Sequence, residues 1–260
     1  MLEIAIASQM LIAQISDSHI SLAPTIEAHR SGWMEQCVKS INELSPLPDA
    51  VIHTGDLTNT GQPKEFARAF AILSKLKSPL YSVAGNRDER SVLRNILSDS
   101  DYFSSANQFV QYSVMSRDIR LLALDTVAVG DTKGSYCELR MACLRRMLQQ
   151  NTEPTAVFMH HPPFPIPKTT DSHSFQFESH EIARQLIDTL NSYGNVIGVF
   201  CGHSHRMAIT TLGSIPASTT PSVALDLRKG DYPPKHAGRP LYHLHSYGEG
   251  TGFTSEIRAA

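Results

Sequence analysis

None of the four cysteines, Cys37, Cys137, Cys143 and Cys201, stands at C-x-x-C spacing to another. That excludes a thiolate zinc clip and a dithiol redox motif. Cys37, Cys137 and Cys143 fall in helical patterns and Cys201 ends an apolar run, so buried free thiols are expected. A basic excess is also missing: 23 Lys and Arg stand against 25 Asp and Glu, a net charge of -2. With no Lys/Arg run either, the chain is not built to grip a nucleic acid polymer. No apolar run reaches about 18 residues, and no cationic segment precedes the first apolar stretch. Neither a membrane helix nor a secretory leader is therefore expected, and a reduced, cytoplasmic setting is. No G-x-S-x-G elbow offers a serine nucleophile.

What is present suits a folded α/β protein. Hydrophobic residues make up 41% and charged residues 18% of 260, enough to bury a large core without disulfides. No Pro/Gly/Ser-rich linker and no repeat divides the chain, so one domain over 1–260 is expected. Met10 directly precedes the first clear strand; residues 1–9 are either a loose extension or lie ahead of the true start.

Apolar β-branched runs alternate with stretches of helical period. Strands are expected at 10–15, 49–54 and 79–85, and helices at 25–44, 63–77 and 89–97. A hairpin is expected at 108–115 and 119–125, then helices at 136–150 and 179–191 and strands at 155–160 and 195–201. Beyond that the helices stop. Short strands at 206–213, 222–227, 240–247 and 252–258 make 206–260 a β-rich end of the same domain, a plausible homodimer edge. Two long loops, 162–178 and 228–240, are lid candidates. Phe164, Phe175 and Phe177 in the first could stack on a base or cover a small head group.

The polar residues fall where the strands end. Asp17-Ser18-His19 follows the first strand, Gly55-Asp56 the second and Gly85-Asn86-Arg87-Asp88 the third. His160-His161-Pro162-Pro163 and Gly202-His203-Ser204-His205 follow two later ones. Ligands of open α/β sheets gather beyond the carboxyl ends of strands, so five clusters at five exits converge. Carboxylate, amide oxygen and imidazole are ligands for divalent Mn, Fe, Zn or Co. An extended backbone would point both members of Asp17/His19 and of His203/His205 into one cavity. Other histidines read differently: His53 as a core residue, His243 and His245 on an exposed strand face, His173 and His180 beside the first loop.

The ordered set DSH, GDL, GNRD, HHPP and GHSH, spanning about residues 10–206, resembles the calcineurin-like metallophosphoesterases. It is most similar to their class III cyclic-nucleotide phosphodiesterase and glycerophosphodiesterase branch. The resemblance implies a four-layer α/β/β/α sandwich, two mixed β-sheets flanked by helices, with two divalent metals at one edge. It implies that Asp17, His19 and His205 bind the first metal, that Asn86, His160 and His203 bind the second, and that Asp56 bridges them. The implied chemistry is attack by a water held between the cations. The implied substrate is a small-molecule phosphodiester: a 3′,5′-cyclic nucleotide such as cAMP, or alternatively a glycerophosphodiester. A phosphomonoesterase, a nuclease and a metal-free binding module are the rivals.

One position departs from that family. Arg87 stands where members usually carry His after the motif Asn. A guanidinium stays charged to about pH 12 and cannot act as an acid at neutrality, but it can hold a phosphoryl oxygen. Arg87 is therefore expected to clamp phosphate with Asp88 orienting it, and leaving-group protonation falls to water, a metal-held water or His161.

Overall fold

The computed structural model describes residues 9–104, 106, 108–166 and 174–260. Five strands, in the order β11-β10-β1-β2-β3, form one sheet: β1 (Met10–Ile15), β2 (Ala50–His53), β3 (Leu80–Ser82), β10 (Leu241–Gly248) and β11 (Gly252–Ala259). Six form the other, in the order β4-β5-β6-β7-β9-β8: β4 (Tyr112–Ser116), β5 (Ile119–Leu124), β6 (Thr155–Met159), β7 (Val196–Cys201), β8 (Ala208–Leu212) and β9 (Ile215–Thr219). Both sheets are mixed. β1, β2 and β3 run parallel, β10 lies antiparallel to β1 and β11 antiparallel to β10, and β5, β6, β7 and β9 run parallel between antiparallel β4 and β8.

Period-2 alternation sets the layers. On β5 and β6, Leu121, Ala123, Ala156 and Phe158 face the core shared with the first sheet, while Leu122, Leu124, Val157 and Met159 face the opposite way. Helices α4 (Glu138–Gln149) and α5 (His180–Asn191) cover that outer face through Leu144, Leu148, Leu186 and Leu190. Helices α1 (Glu27–Asn42), α2 (Pro63–Leu73) and α3 (Arg90–Leu97) supply Met34, Ile41, Phe66 and Leu93 to the first core. The four-layer sandwich expected from the sequence is the one formed. Among the described residues, no helix is long and apolar enough to cross a membrane.

Four local expectations fail, each for a physical reason. Residues 222–227 form turns, not a strand. Their apolar character comes from lying against the exit of β1, where Val223 N–H bonds Ser16 O and Ser222 Oγ bonds Asp17 O. The strand expected there lies earlier, as β9 (Ile215–Thr219), which tolerates Pro216 because parallel pairing with β7 begins only at Ala217. His243 and His245 are buried, because β10 lies between β1 and β11 and Phe200 of the opposite sheet stacks 4.0 Å from His245. Cys137 is exposed at the N-terminal end of α4 and Cys143 is half-buried; all four thiols are free, but only Cys37 and Cys201 are buried.

Candidate metal centre

The ligand clusters leave the carboxyl ends of β1, β2, β3, β6 and β7, where the two sheets meet. Backbone bonds tie these exits together: Asp17 N–H donates to Gly55 O, His19 N–H to Asp56 O and Gly202 N–H to His160 O, each at 3.0 Å. The chain here is not extended. Asp17, His19, Asp56, His203 and His205 adopt left-handed backbone, with φ of 53°, 44°, 51°, 65° and 56°. Among the described residues the only other non-glycine case is Arg117, in the β4–β5 turn. Each such residue costs on the order of 1–3 kcal/mol, strain that persists where surrounding structure and function demand it. His19, His203 and His205 still line one cavity, with Asp17 buried behind it beside His205, by tight turning rather than by strand alternation. Gly85 is required for a different reason: a Cβ there would overlap the Asp56 carboxylate.

Two groups of ligand atoms result. Asp17, His19, Asp56 and His205 place one ligand atom each within 4.8 Å of one another, and His160, His161 and His203 do the same. His19 Nε2 and His205 Nε2 stand 3.2 Å apart, as do His160 Nε2 and His203 Nδ1, while Asn86 Oδ1 lies 3.1 Å from His160 Nε2. Asp56 sits between the groups, Oδ2 3.5 Å from His19 Nε2 and Oδ1 3.5 Å from His160 Nε2. Asp17 Oδ1 is buried without a hydrogen bond, 3.3 Å from His205 Nε2. Converging imidazole nitrogens and an unsatisfied buried carboxylate oxygen are what a pair of divalent cations would satisfy. The residues fit the metals.

Outer bonds aim the rings. His160 Nδ1–H donates to Thr54 O at 2.7 Å and His205 Nδ1–H to Leu227 O at 3.0 Å, leaving each Nε2 lone pair for a cation. His203 is reversed: its Nε2–H meets Gln176 Oε1 at 2.8 Å, and Nδ1 looks inward. Beyond its place in the 162–178 loop, Gln176 carries no local signal that singles it out. Arg30 was missed too. Buried in α1, it donates to His19 O at 3.0 Å and pairs with Asp226 at 2.7 Å, bracing the first metal loop from behind. Gln14 on β1 joins the sheets beneath the site, donating to Thr54 Oγ1 and Cys201 O and accepting from His245 Nε2.

The surroundings favour the neutral imidazole, the form that binds metal, at every one of these histidines except His205. Burial pulls His19 down to about 3 against the raising effect of Asp17, and lowers His160. Burial followed by neighbouring imidazoles takes His161 and His203 well below their ordinary value. His205 is raised: burial opposes its charge, but Asp17 overrides it. Burial would raise Asp17 too, yet the charge of His205, then of His160 and His19, holds it ionised. Asp56 is pushed up to about 8 by burial first and the Asp17 charge second.

Three expectations are redrawn. Arg87 is exposed and lines the cavity, but Asp88 does not orient it: the Asp88 oxygens accept from Leu57 N, Thr58 N, Thr58 Oγ1 and Gly85 N. A buried carboxylate takes the nearest backbone donors, so Asp88 braces the loops carrying Asp56 and Asn86. His161 is buried outside the cavity wall, its Nδ1 2.8 Å from Thr126 Oγ1 and its Nε2 3.2 Å from Thr132 O, with no nitrogen left to face substrate. Phe164 and Phe177 are buried in the core over the outer face of the second sheet, and Phe175 stacks 3.8 Å from His180. His53 is buried in β2, 2.9 Å from Ser18 Oγ. His173 lies outside the described residues.

A two-sheet sandwich with two carboxylates, an amide and a set of imidazoles at the strand exits defines a class of metal-dependent phosphoester hydrolases. The chain belongs to the calcineurin-like phosphoesterases, whose family model matches residues 10–207. It is 31% identical over 257 residues to a probable glycerophosphodiester phosphodiesterase of Arcobacter nitrofigilis, covering 95% of this chain and 92% of that one. It is 24% identical to a 3′,5′-cyclic adenosine monophosphate phosphodiesterase of Pseudomonas aeruginosa, covering 86% and 79%. A dimetal phosphatase from Danio rerio shares the fold, with a TM-score of 0.66 at 14% identity over 96% of this chain and 98% of that one.

Proposed function

We propose that this hydrolase cleaves small-molecule phosphodiesters with two divalent cations, and that a glycerophosphodiester suits it better than a 3′,5′-cyclic nucleotide. The observation that carries the reading is the Asp56 carboxylate, one oxygen 3.5 Å from His19 and the other 3.5 Å from His160. One anion serving both ligand groups is what places two cations close enough to act on one phosphate. On this reading Asp17, His19 and His205 hold one cation, Asn86, His160 and His203 hold the other, and Asp56 is shared. Mn, Fe, Zn or Co bound there would supply acidification of a shared water and neutralisation of charge on the phosphoryl oxygens.

The protein contributes position and charge. The Arg87 backbone N–H fixes Asp56 Oδ1 at 2.7 Å, and Arg87 lines the cavity, where its guanidinium would hold a phosphoryl oxygen. Arg87 donates no proton at neutral pH, and the leaving oxygen takes one from solvent. His161 holds Thr132, a residue of the cavity wall, through its main-chain oxygen.

Two observations favour the glycerophosphodiester. A relative covered over 92% of its length carries that name at 31% identity. The described cavity wall also contains no Phe, Tyr or Trp on which a base could stack. The test is a panel with added Mn²⁺: glycerophosphoglycerol, cyclic AMP, cyclic GMP, bis(p-nitrophenyl) phosphate and p-nitrophenyl phosphate. The acyclic diesters should show the highest kcat/KM. A cyclic nucleotide turned over tenfold better would restore the cyclic reading, and a faster monoester would make the enzyme a phosphatase.

A further inference from the structure

The cavity over the ligands is about 640 Å³, room for a small organic molecule and not only for a phosphate. Three cations line it, Arg87, Arg206 and Lys229, and the one carboxylate in its described wall is Asp56. The cations come from different loops, Arg87 from the exit of β3 and Arg206 and Lys229 from the segments after β7 and β9. Arg87 follows Asn86 on the side of the second ligand group. Arg206 follows His205 on the side of the first, and Lys229 is tied there by its backbone N–H donating to His205 O at 2.9 Å.

The neighbouring charges are already committed. Asp226, the acidic residue of the same wall segment, is taken by Arg30 at 2.7 Å, and the Arg228 guanidinium donates to Arg239 O and lies over the Tyr232 ring. Arg87, Arg206 and Lys229 form no ion pair among the described residues. Two cations beside a site for two metal ions repel one another and the metals. Such a wall concentrates a multiply charged anion and turns cations away.

We infer that the substrate carries a second anionic group, a phosphate or a carboxylate, on the arm of the diester that reaches Arg206 and Lys229. This rests on the phosphodiesterase reading above and narrows it. Arg87 meets the scissile phosphate and Arg206 and Lys229 meet the distal anion, with Leu227 and Ile166 as apolar members of the same wall. A head group bearing a quaternary ammonium would find no described carboxylate to receive it.

Two readouts test this. The first compares kcat/KM for glycerophosphodiesters differing in head-group charge: glycerophosphocholine, glycerophosphoglycerol and glycerophosphoinositol 4-phosphate. The anionic head should exceed the neutral one about tenfold at low salt and the cationic one by more, with the margin shrinking toward 0.5 M NaCl as screening grows. In the double variant Arg206→Ala, Lys229→Ala the three values should draw together. The second is calorimetric binding of myo-inositol 1,4-bisphosphate against myo-inositol 1-phosphate. The wild type should bind the bisphosphate about tenfold tighter, and the double variant should bind both alike. Equal binding of the two probes by the wild type, or a preference that survives in the double variant, overturns the inference. Absence of any turnover of bis(p-nitrophenyl) phosphate with Mn²⁺ would instead defeat the phosphodiesterase reading, and the two failures are separate observations.

Discussion

His203 donates its Nε2 hydrogen to Gln176 Oε1 at 2.8 Å, and that bond decides which face of the imidazole looks at the second cation site. Replacing Gln176 by Ala frees the ring to turn. Metal affinity at one of the two sites should fall about 10–100-fold while the other is retained. Titration of the metal-free protein with Mn²⁺ separates the two steps, and Gln176→Glu should recover most of the loss. Unaltered binding in Gln176→Ala would mean that the surrounding packing, and not this bond, orients His203.

Gln14 is polar yet wholly buried between the sheets. It bonds Thr54 and Cys201, which immediately precede Gly55-Asp56 and Gly202-His203, and it accepts from His245. Gln14→Leu leaves the buried His245 Nε2 without a partner and removes one of the two hydrogen bonds to Cys201 O, which keeps that from Thr220 N–H, at a cost of about 1–3 kcal/mol. The urea midpoint should drop accordingly. A midpoint within error of the wild type would show that these groups find other partners.

Arg87 offers a test by kinetics. Removing the guanidinium in Arg87→Ala should lower kcat/KM on bis(p-nitrophenyl) phosphate about 10–100-fold, mainly through KM, since a phosphate clamp acts in ground and transition states alike. Arg87→His should raise the rate on diesters with poor leaving groups relative to activated ones, because an imidazole can donate the proton a guanidinium cannot. Unchanged kinetics in Arg87→Ala would place that side chain outside the reaction.

The metal-free protein should lose stability as pH rises through neutrality. Asp56 is pushed up to about 8 from an ordinary value of 3.8, so the folded chain holds its proton more tightly than the unfolded chain between those values, and stability falls across that range. Asp88, pushed up to about 7 by burial and then by Asp56, has the same sign. His19 works in the opposite direction but only between about 3 and 6.5. From pH 6.5 to 8 the carboxylates dominate, and cations replace the proton on Asp56. The gain in Tm on adding Mn²⁺ should therefore be larger at pH 8 than at pH 6.5. A gain that shrinks over that range would contradict the assignment of Asp56 as a shared ligand.

Much of this was legible in the sequence because the informative residues are short-range. Strand exits are marked by apolar runs ending in Asp, Gly-Asp, Gly-Asn or His, so Asp17, Asp56, Asn86, His160 and His203 could be placed at one edge from local pattern alone. What local pattern does not carry is pairing at long range. Arg30 with Asp226 and Gln14 with His245 join positions about 200 residues apart, and neither partner has a motif. Backbone conformation was hidden for the same reason: His19 and His205 are bulky residues in left-handed turns that sequence favours for Gly or Asn, held there by tertiary contacts. The burial of His243 depended on which strands flank β10, which hydrophobic alternation within β10 does not specify.

The central claim is that one carboxylate, Asp56, is shared by two catalytic cations, and metal stoichiometry coupled to turnover tests it most directly. The wild type should bind two divalent ions per chain, lose hydrolysis of bis(p-nitrophenyl) phosphate when they are chelated and regain it with Mn²⁺. Asp56→Asn should bind fewer than two and fall by on the order of a thousandfold in kcat. A wild-type protein that turns over at full rate after chelation, or an Asp56→Asn variant that keeps two ions and full activity, would contradict it.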